Sequence, residues 1–289
     1  MVQVTWSDDV EHMRVALRAL LDDVSVFVNE SGHEPKVGSI IAREQAESDA
    51  AQLDAALKQG HLLLESAFDH VFALTRLLIT PVPTIAPWTC VRGGLEAAAI
   101  GCWLLADDIG AEERIGRSFA CRYEGLSQQL SLAGATGGEL ERKKIEERMD
   151  DVEAKALALG YPPVATRRGR RDGIARRMPR ITELVGDVMS EEPLYRILSA
   201  MAHGHSFAVM QLAFRAPDVM QPMIREKAMD SDAAALLLAT SADIVAKPLS
   251  AKSVLFGYDV GRLDSLLTRR YSDIGLSEER RFWHSARPS

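Results

Sequence analysis

Cysteine is scarce in this chain: three residues, Cys90, Cys102 and Cys121, with no C-x-x-C pair among them. An odd count without paired spacing excludes a disulfide framework and a cysteine-built zinc site, and it fits a reducing cytosol. Long hydrophobic runs are also missing. The most apolar stretch, around Ala97 to Ala106, is too short to span a bilayer. The start, MVQVTWSDDVEHMR, carries acids where a signal peptide would carry a basic and then apolar run. A cytoplasmic protein without membrane association is therefore expected. Positive charge is not in excess overall, because the net charge is −7. The protein as a whole should not coat nucleic acid or anionic lipid, so any such contact needs a local basic patch. No G-x-G-x-x-G, P-loop, nucleophile elbow, H-E-x-x-H or kinase set occurs, which argues against dinucleotide, serine-hydrolase and zincin chemistry. Alternating strand patterns are nearly absent, and VLFGYDV (254–260) is the one brief candidate. No internal repeat is found.

What the chain has instead is helical periodicity over most of its 289 residues, with a composition 47% hydrophobic and 26% charged. Ser7 suits the cap of a first helix that opens with Asp8 and Asp9 and ends at Gly32. A long helix is predicted from about Ser48 to Leu78, stopped by the prolines of TPVPTIAP (80–87). The next, about Trp88 to Ala106, is apolar nearly all round and should be central. Two more run from Ala111 to Leu132 and from Glu139 to Leu159, the latter rich in alternating charges that suit a solvated arm. Helices resume near Thr182, with Pro193 in the first turn of one of them. The last two cover about Asp232 to Ala246 and Asp259 to Tyr271, before a polar tail after Glu278. The fold expected is all-α, a multi-helix bundle with a long charged helix. It is read as one domain over 1–289, the alternative being halves 1–160 and 181–289 joined by an Arg-rich loop, 164–180.

The most informative stretch is YRILSAMAHGHSF (195–207). On a continuous helix seven residues advance about 700°, so Arg196 and His203 fall within about 20° of one face, and Ser199 lies between them. A guanidinium, a hydroxyl and an imidazole on one stripe can manage a phosphate: Arg binds it bidentately and His exchanges protons near neutral pH. The other reading is a core network, with His203 donating to a neighbour and Ser199 bonding back to its own helix. On a helix the rings of His203 and His205 would point about 200° apart, so they are not expected to act as a pair.

An Arg-x6-His pair inside an apolar late helix resembles the R-x4–6-H motif of HEPN-type proteins. The resemblance implies an all-α HEPN-like core, a dimer that brings two motifs together, and metal-independent RNA cleavage in a defence or toxin–antitoxin setting. Arg196 would then steady the phosphate, and His203 would handle a proton at a ribose 2′-hydroxyl, with Tyr195 and Ser199 shaping the pocket. The chain is also similar to uncharacterised bacterial helical proteins with an early "PW…R…E" and a late "Y…S…HG" pattern. Here these elements stand as Pro87-Trp88, Arg92 and Glu96, then Tyr195, Ser199 and His203-Gly204.

Arg92 and Glu96 are spaced i,i+4, so they can pair directly, and buried charges must be matched. They are read either as a structural tie between central helices or as groups that orient His203 or contact a ligand. His61, Glu65 and Asp69 share one side of the long helix, which invites a metal site. The Glu-x-x-His pairs that di-iron bundles need are absent, so no metal is expected. Residues 167–180 hold seven arginines, including Arg167, Arg168, Arg170 and Arg171, against the single acid Asp172. They form either a phosphate-tracking loop for RNA or a connector paired with the acidic helix before it. No aromatics interleave there, so base stacking is unsupported. RNA is the expected partner and no cofactor is implied. The rival readings are a non-catalytic helical scaffold or partner-binding protein, and a helical protein with a small-molecule pocket.

Overall fold

The computed structural model describes residues 8–79, 82–136, 138–165, 171–213 and 229–276. Among them are eleven α-helices and one two-stranded antiparallel pair, so the molecule is an all-α helical bundle with a minor hairpin. The helices are α1 (Asp8–Ser31), α2 (Ile40–Glu47), α3 (Ala50–Leu77), α4 (Ala86–Leu104), α5 (Ala111–Thr136), α6 (Glu139–Ala158), α7 (Ile181–Leu184), α8 (Glu192–Ala202), α9 (Ser206–Leu212), α10 (Ser231–Phe256) and α11 (Val260–Asp273). A π-helical turn, Val185–Met189, continues α7. Strands β1 (Pro163–Ala165) and β2 (Arg171–Ile174) pair in register Pro163 with Ile174.

The chain forms two compact units. One takes the described residues of Met1–Ala42, Gly60–Asp107 and Ile181–Ser289; the other takes Arg43–Gln59 and Asp108–Arg180. The units therefore do not follow the 1–160 and 181–289 halves, because α2 and α3 each contribute to both.

In the first unit α4 packs against α8 and α10, and α10 packs against α1 and α11. As its pattern predicts, α4 is central: Trp88, Leu95, Ala98, Ala99 and Leu104 are all sealed from solvent. Each large apolar side chain buried this way contributes about 1.5–3 kcal/mol. Gly93 is required by close approach. A β-carbon there would lie 2.6 Å from His70 Nε2, so the ring of His70 rests on the α4 backbone. Helices α1 and α11 are tied by Arg270 and Arg269, which both reach Asp23.

In the second unit α5 packs against α6 and β2. Arg114 on α5 is fully buried; its Nε lies 3.2 Å from Glu44 Oε2, and its Nη2 donates to the Ile109 carbonyl. Ser118 donates to Gln59, and Tyr161 donates to the Glu112 carbonyl.

Several sequence expectations are corrected. The stretch 254–260 is not a strand: it closes α10, turns at Gly257 (φ +69°) and opens α11 with Asp259 as its cap. The helix expected to stop at Ala246 runs through Pro248 to Phe256. The proline lacks only one backbone donor, while Leu249, Leu255 and Phe256 bury themselves on the far side of it. Among the described residues α10, not Ala97–Ala106, is the apolar helix long enough to cross a membrane, but 78% of its most apolar window is buried inside the fold. Helix α2 was not anticipated, nor was the short hairpin inside the arginine loop. Asp49 caps α3 through the Gln52 amide. Ser7 and the tail after Glu278 lie outside the described residues.

Candidate functional site

The motif helix is shorter than its pattern suggested. Helix α8 stops at Ala202, with His203 as its cap and Gly204 at φ +66°. The Gly204 amide donates to the Met201 carbonyl and the His205 amide to that of Ala200, a Schellman closure that only a residue comfortable in the left-handed region makes cheaply. Helix α9 begins two residues later. His203 and His205 therefore sit on an exposed turn, not inside a core helix. Their ring centroids are 6.2 Å apart, which overturns the expectation that the two rings diverge, because the left-handed glycine swings His205 back toward His203.

Arg196 also faces solvent. Its side chain is 68% exposed, and it pairs one turn back with Glu192 at 2.6 Å. Ser199 is half-buried, and its carbonyl accepts the His203 amide. Among the described residues no hydrogen bond or ion pair links Arg196 to His203.

Tyr195 points the other way, into the packing of α8 on α4. Its hydroxyl donates to Glu96 Oε1 at 2.7 Å, and Arg92 Nε lies 2.9 Å from the same oxygen. The Arg92 guanidinium also sits 5.9 Å from the Tyr195 ring centroid. Burial and the Glu96 hydrogen bond raise the Tyr195 pKa, with Arg92 opposing them. Three of the expected residues, Arg92, Glu96 and Tyr195, are thus brought together as a tie between two helices. Neither Arg92 nor Glu96 bonds to His203 or Ser199.

In the arginine segment, Arg167, Arg168 and Arg170 lie outside the described residues, and Arg171 opens β2. Two of the described arginines beyond it have acid partners. Arg176 pairs with Glu113, and Arg177 Nε lies 3.2 Å from Asp172. The connector reading anticipated pairing with the helix just before the loop, α6, but Glu113 belongs to α5.

The first unit holds a further arrangement that the motifs did not reveal. A groove of about 540 Å³ runs between α1, α3 and α10. Leu21, Val24, Leu64 and Leu249 form its buried floor, and Phe68 and Phe72 extend the apolar lining. Ser25, Asn29, His33, Glu65 and Asp69 stand at its solvent-exposed rim, with His61 on its wall. The residues once weighed as metal ligands, His61, Glu65 and Asp69, do share one wall. Among the described residues no group of three or more His, Cys, Asp or Glu could hold a metal ion.

Lys252, on α10, is the group that sequence reasoning missed. It lines the groove yet is only 8% exposed. Its ammonium lies 5.6 Å from the Phe256 ring centroid and 5.8 Å from that of Tyr258. No described carboxylate comes within ion-pair distance of it. Burial lowers its pKa, and the charge of Glu65 pulls weakly the other way. A lysine inside the apolar run of α10 was the available signal, obscured because the helix was expected to end before it.

Compared with known proteins, the chain matches no family model, no curated protein and no solved structure.

Proposed function

We propose that the protein binds a small, largely apolar molecule in the groove between α1, α3 and α10. The observation that carries this reading is the groove itself. Its volume of about 540 Å³ falls in the range of small-molecule sites, and its floor is apolar, with a few convergent polar groups that include a buried, perturbed lysine. A ligand covering this solvent-open apolar floor removes its surface from water, which favours binding. Titration with a neutral solvatochromic dye tests the reading. Saturable one-to-one binding is expected in the wild type, together with its loss in Val28→Trp, where an indole fills the groove while the helical circular dichroism is retained. Equal dye binding by both proteins would remove the proposal.

A second reading, RNA cleavage, rests on a different observation. The exposed imidazoles of His203 and His205, with centroids 6.2 Å apart, could serve as base and acid on one phosphodiester. In this reading a HEPN-like dimer would pair two such turns, with Arg196 released from Glu192 to hold the phosphate. Mixed RNA incubated with protein in EDTA tests it: cleavage by the wild type that His203→Ala abolishes supports the reading, and identical behaviour of the two proteins ends it.

A further inference from the structure

We infer that the ligand of the groove is a monoanionic amphiphile, with its chain on the leucine and valine floor and its carboxylate on Lys252. This rests on the groove being a binding site, as proposed above.

The inference starts from a cation that lines the groove without a protein acceptor. Lys252 as a residue is more than nine-tenths buried, its remaining exposure opens onto the groove, and its three N–H donors have no acceptor among the described residues. The ring faces of Phe256 and Tyr258 soften the charge but accept no conventional hydrogen bond. The Tyr258 hydroxyl is directed elsewhere, donating to the Gly32 carbonyl at 2.8 Å. A buried cation in this state is stabilised by an incoming anion that makes charge-assisted hydrogen bonds.

The rest of the lining narrows the ligand further. The floor of Leu21, Val24, Leu64 and Leu249 offers nothing polar to a ligand's middle, so the body must be apolar. At the rim, Glu65 and Asp69 repel a molecule carrying several negative charges along its length. A single anionic head that passes the rim and reaches Lys252 meets the one cation in the lining and leaves only uncharged chain beside the acids. A cationic ligand could meet the rim carboxylates, but it would face Lys252 with like charge. Burial depresses the Lys252 pKa, consistent with an ammonium held in an environment that lacks its counter-ion.

The experiment displaces the neutral dye with three ligands of equal chain length, decanoate, decanol and decylamine, each below its micellar range. It uses the full-length wild type, Lys252→Met and Lys252→Gln. Decanoate should bind the wild type about tenfold more tightly than decanol, the advantage of a charge-assisted hydrogen bond. In both variants the ratio of decanoate to decanol affinity should fall to about one. Lys252→Gln repeats the measurement should the thioether side chain disturb the fold. If decanol or decylamine matches or exceeds decanoate in the wild type, the ligand class is wrong and the groove reading stands. If decanoate keeps its advantage in both variants, Lys252 is not the anchor. If neither the dye nor any of the three ligands binds, the groove reading itself falls.

Discussion

Replacing Lys252 with methionine should make the ligand-free protein more stable. Moving an ammonium from water into a protein interior costs several kcal/mol even after relaxation, and Lys252 retains only 8% of its exposure. The two aromatic faces near it return about 0.5–2 kcal/mol each, and no described carboxylate pairs with it. The difference leaves a net penalty of about 1–3 kcal/mol, which an uncharged side chain of similar length removes. Urea unfolding at pH 7, followed by circular dichroism, should place the Lys252→Met midpoint above that of the wild type. The pH dependence supplies a second check. Because the folded pKa is lowered, the penalty is fully present below that value and vanishes as pH rises to 10.5, the ordinary lysine value. The advantage of Lys252→Met should therefore shrink steadily across the alkaline range. A methionine variant less stable than wild type at pH 7 would refute the reasoning, because it would mean that the ammonium is already well satisfied.

Glu44→Leu removes the carboxylate that matches the charge of the fully buried Arg114 and should cost about 3–5 kcal/mol, whereas Glu44→Leu with Arg114→Met should recover most of that loss in the same urea assay. Tyr195→Phe removes the hydroxyl that Glu96 accepts and should lower stability by about 1–2 kcal/mol. Gly204→Ala should cost about 1 kcal/mol through its left-handed backbone, while His203→Ala on the exposed turn should stay within about 0.5 kcal/mol, both read by thermal melts. Burial, with Glu34 nearby, raises the Tyr258 phenol to about 12, so the folded state holds a proton that the unfolded chain loses above pH 10. Stability should accordingly fall between pH 10 and 12, and more gently in Tyr258→Phe.

Much of the fold is legible in local signals. Gly32, at φ +81°, ends α1 where its composition says it should. Pro87 opens α4, and the nearly all-round apolar surface of α4 does mark a central helix. What stays hidden depends on distant packing. Pro248 reads as a terminator, yet buried neighbours on both sides carry α10 through it. Strands of three and four residues are too short for any period to register. At the candidate sites, the Arg92–Glu96 pair follows from its spacing, but its link to Tyr195 does not. The stripe from Arg196 to His203 presumed an unbroken helix, although Gly204 is the residue that commonly closes one. The groove was beyond reach, since its walls come from α1, α3 and α10, far apart in the chain.

The ion pairs of the first unit also bear on the order in which the chain is made. Asp23 meets Arg270 across a separation of 247 residues, and the Tyr258 hydroxyl meets the Gly32 carbonyl across 226. The apolar face of α1, with Leu17, Leu20, Leu21, Val24 and Phe27, packs on α10 and α11, which follow it in the chain by about 200 residues. That face therefore waits for α10 and α11 while everything between them is made, the circumstance in which nascent chains aggregate. Removing α10 and α11 would leave that face of α1 uncovered.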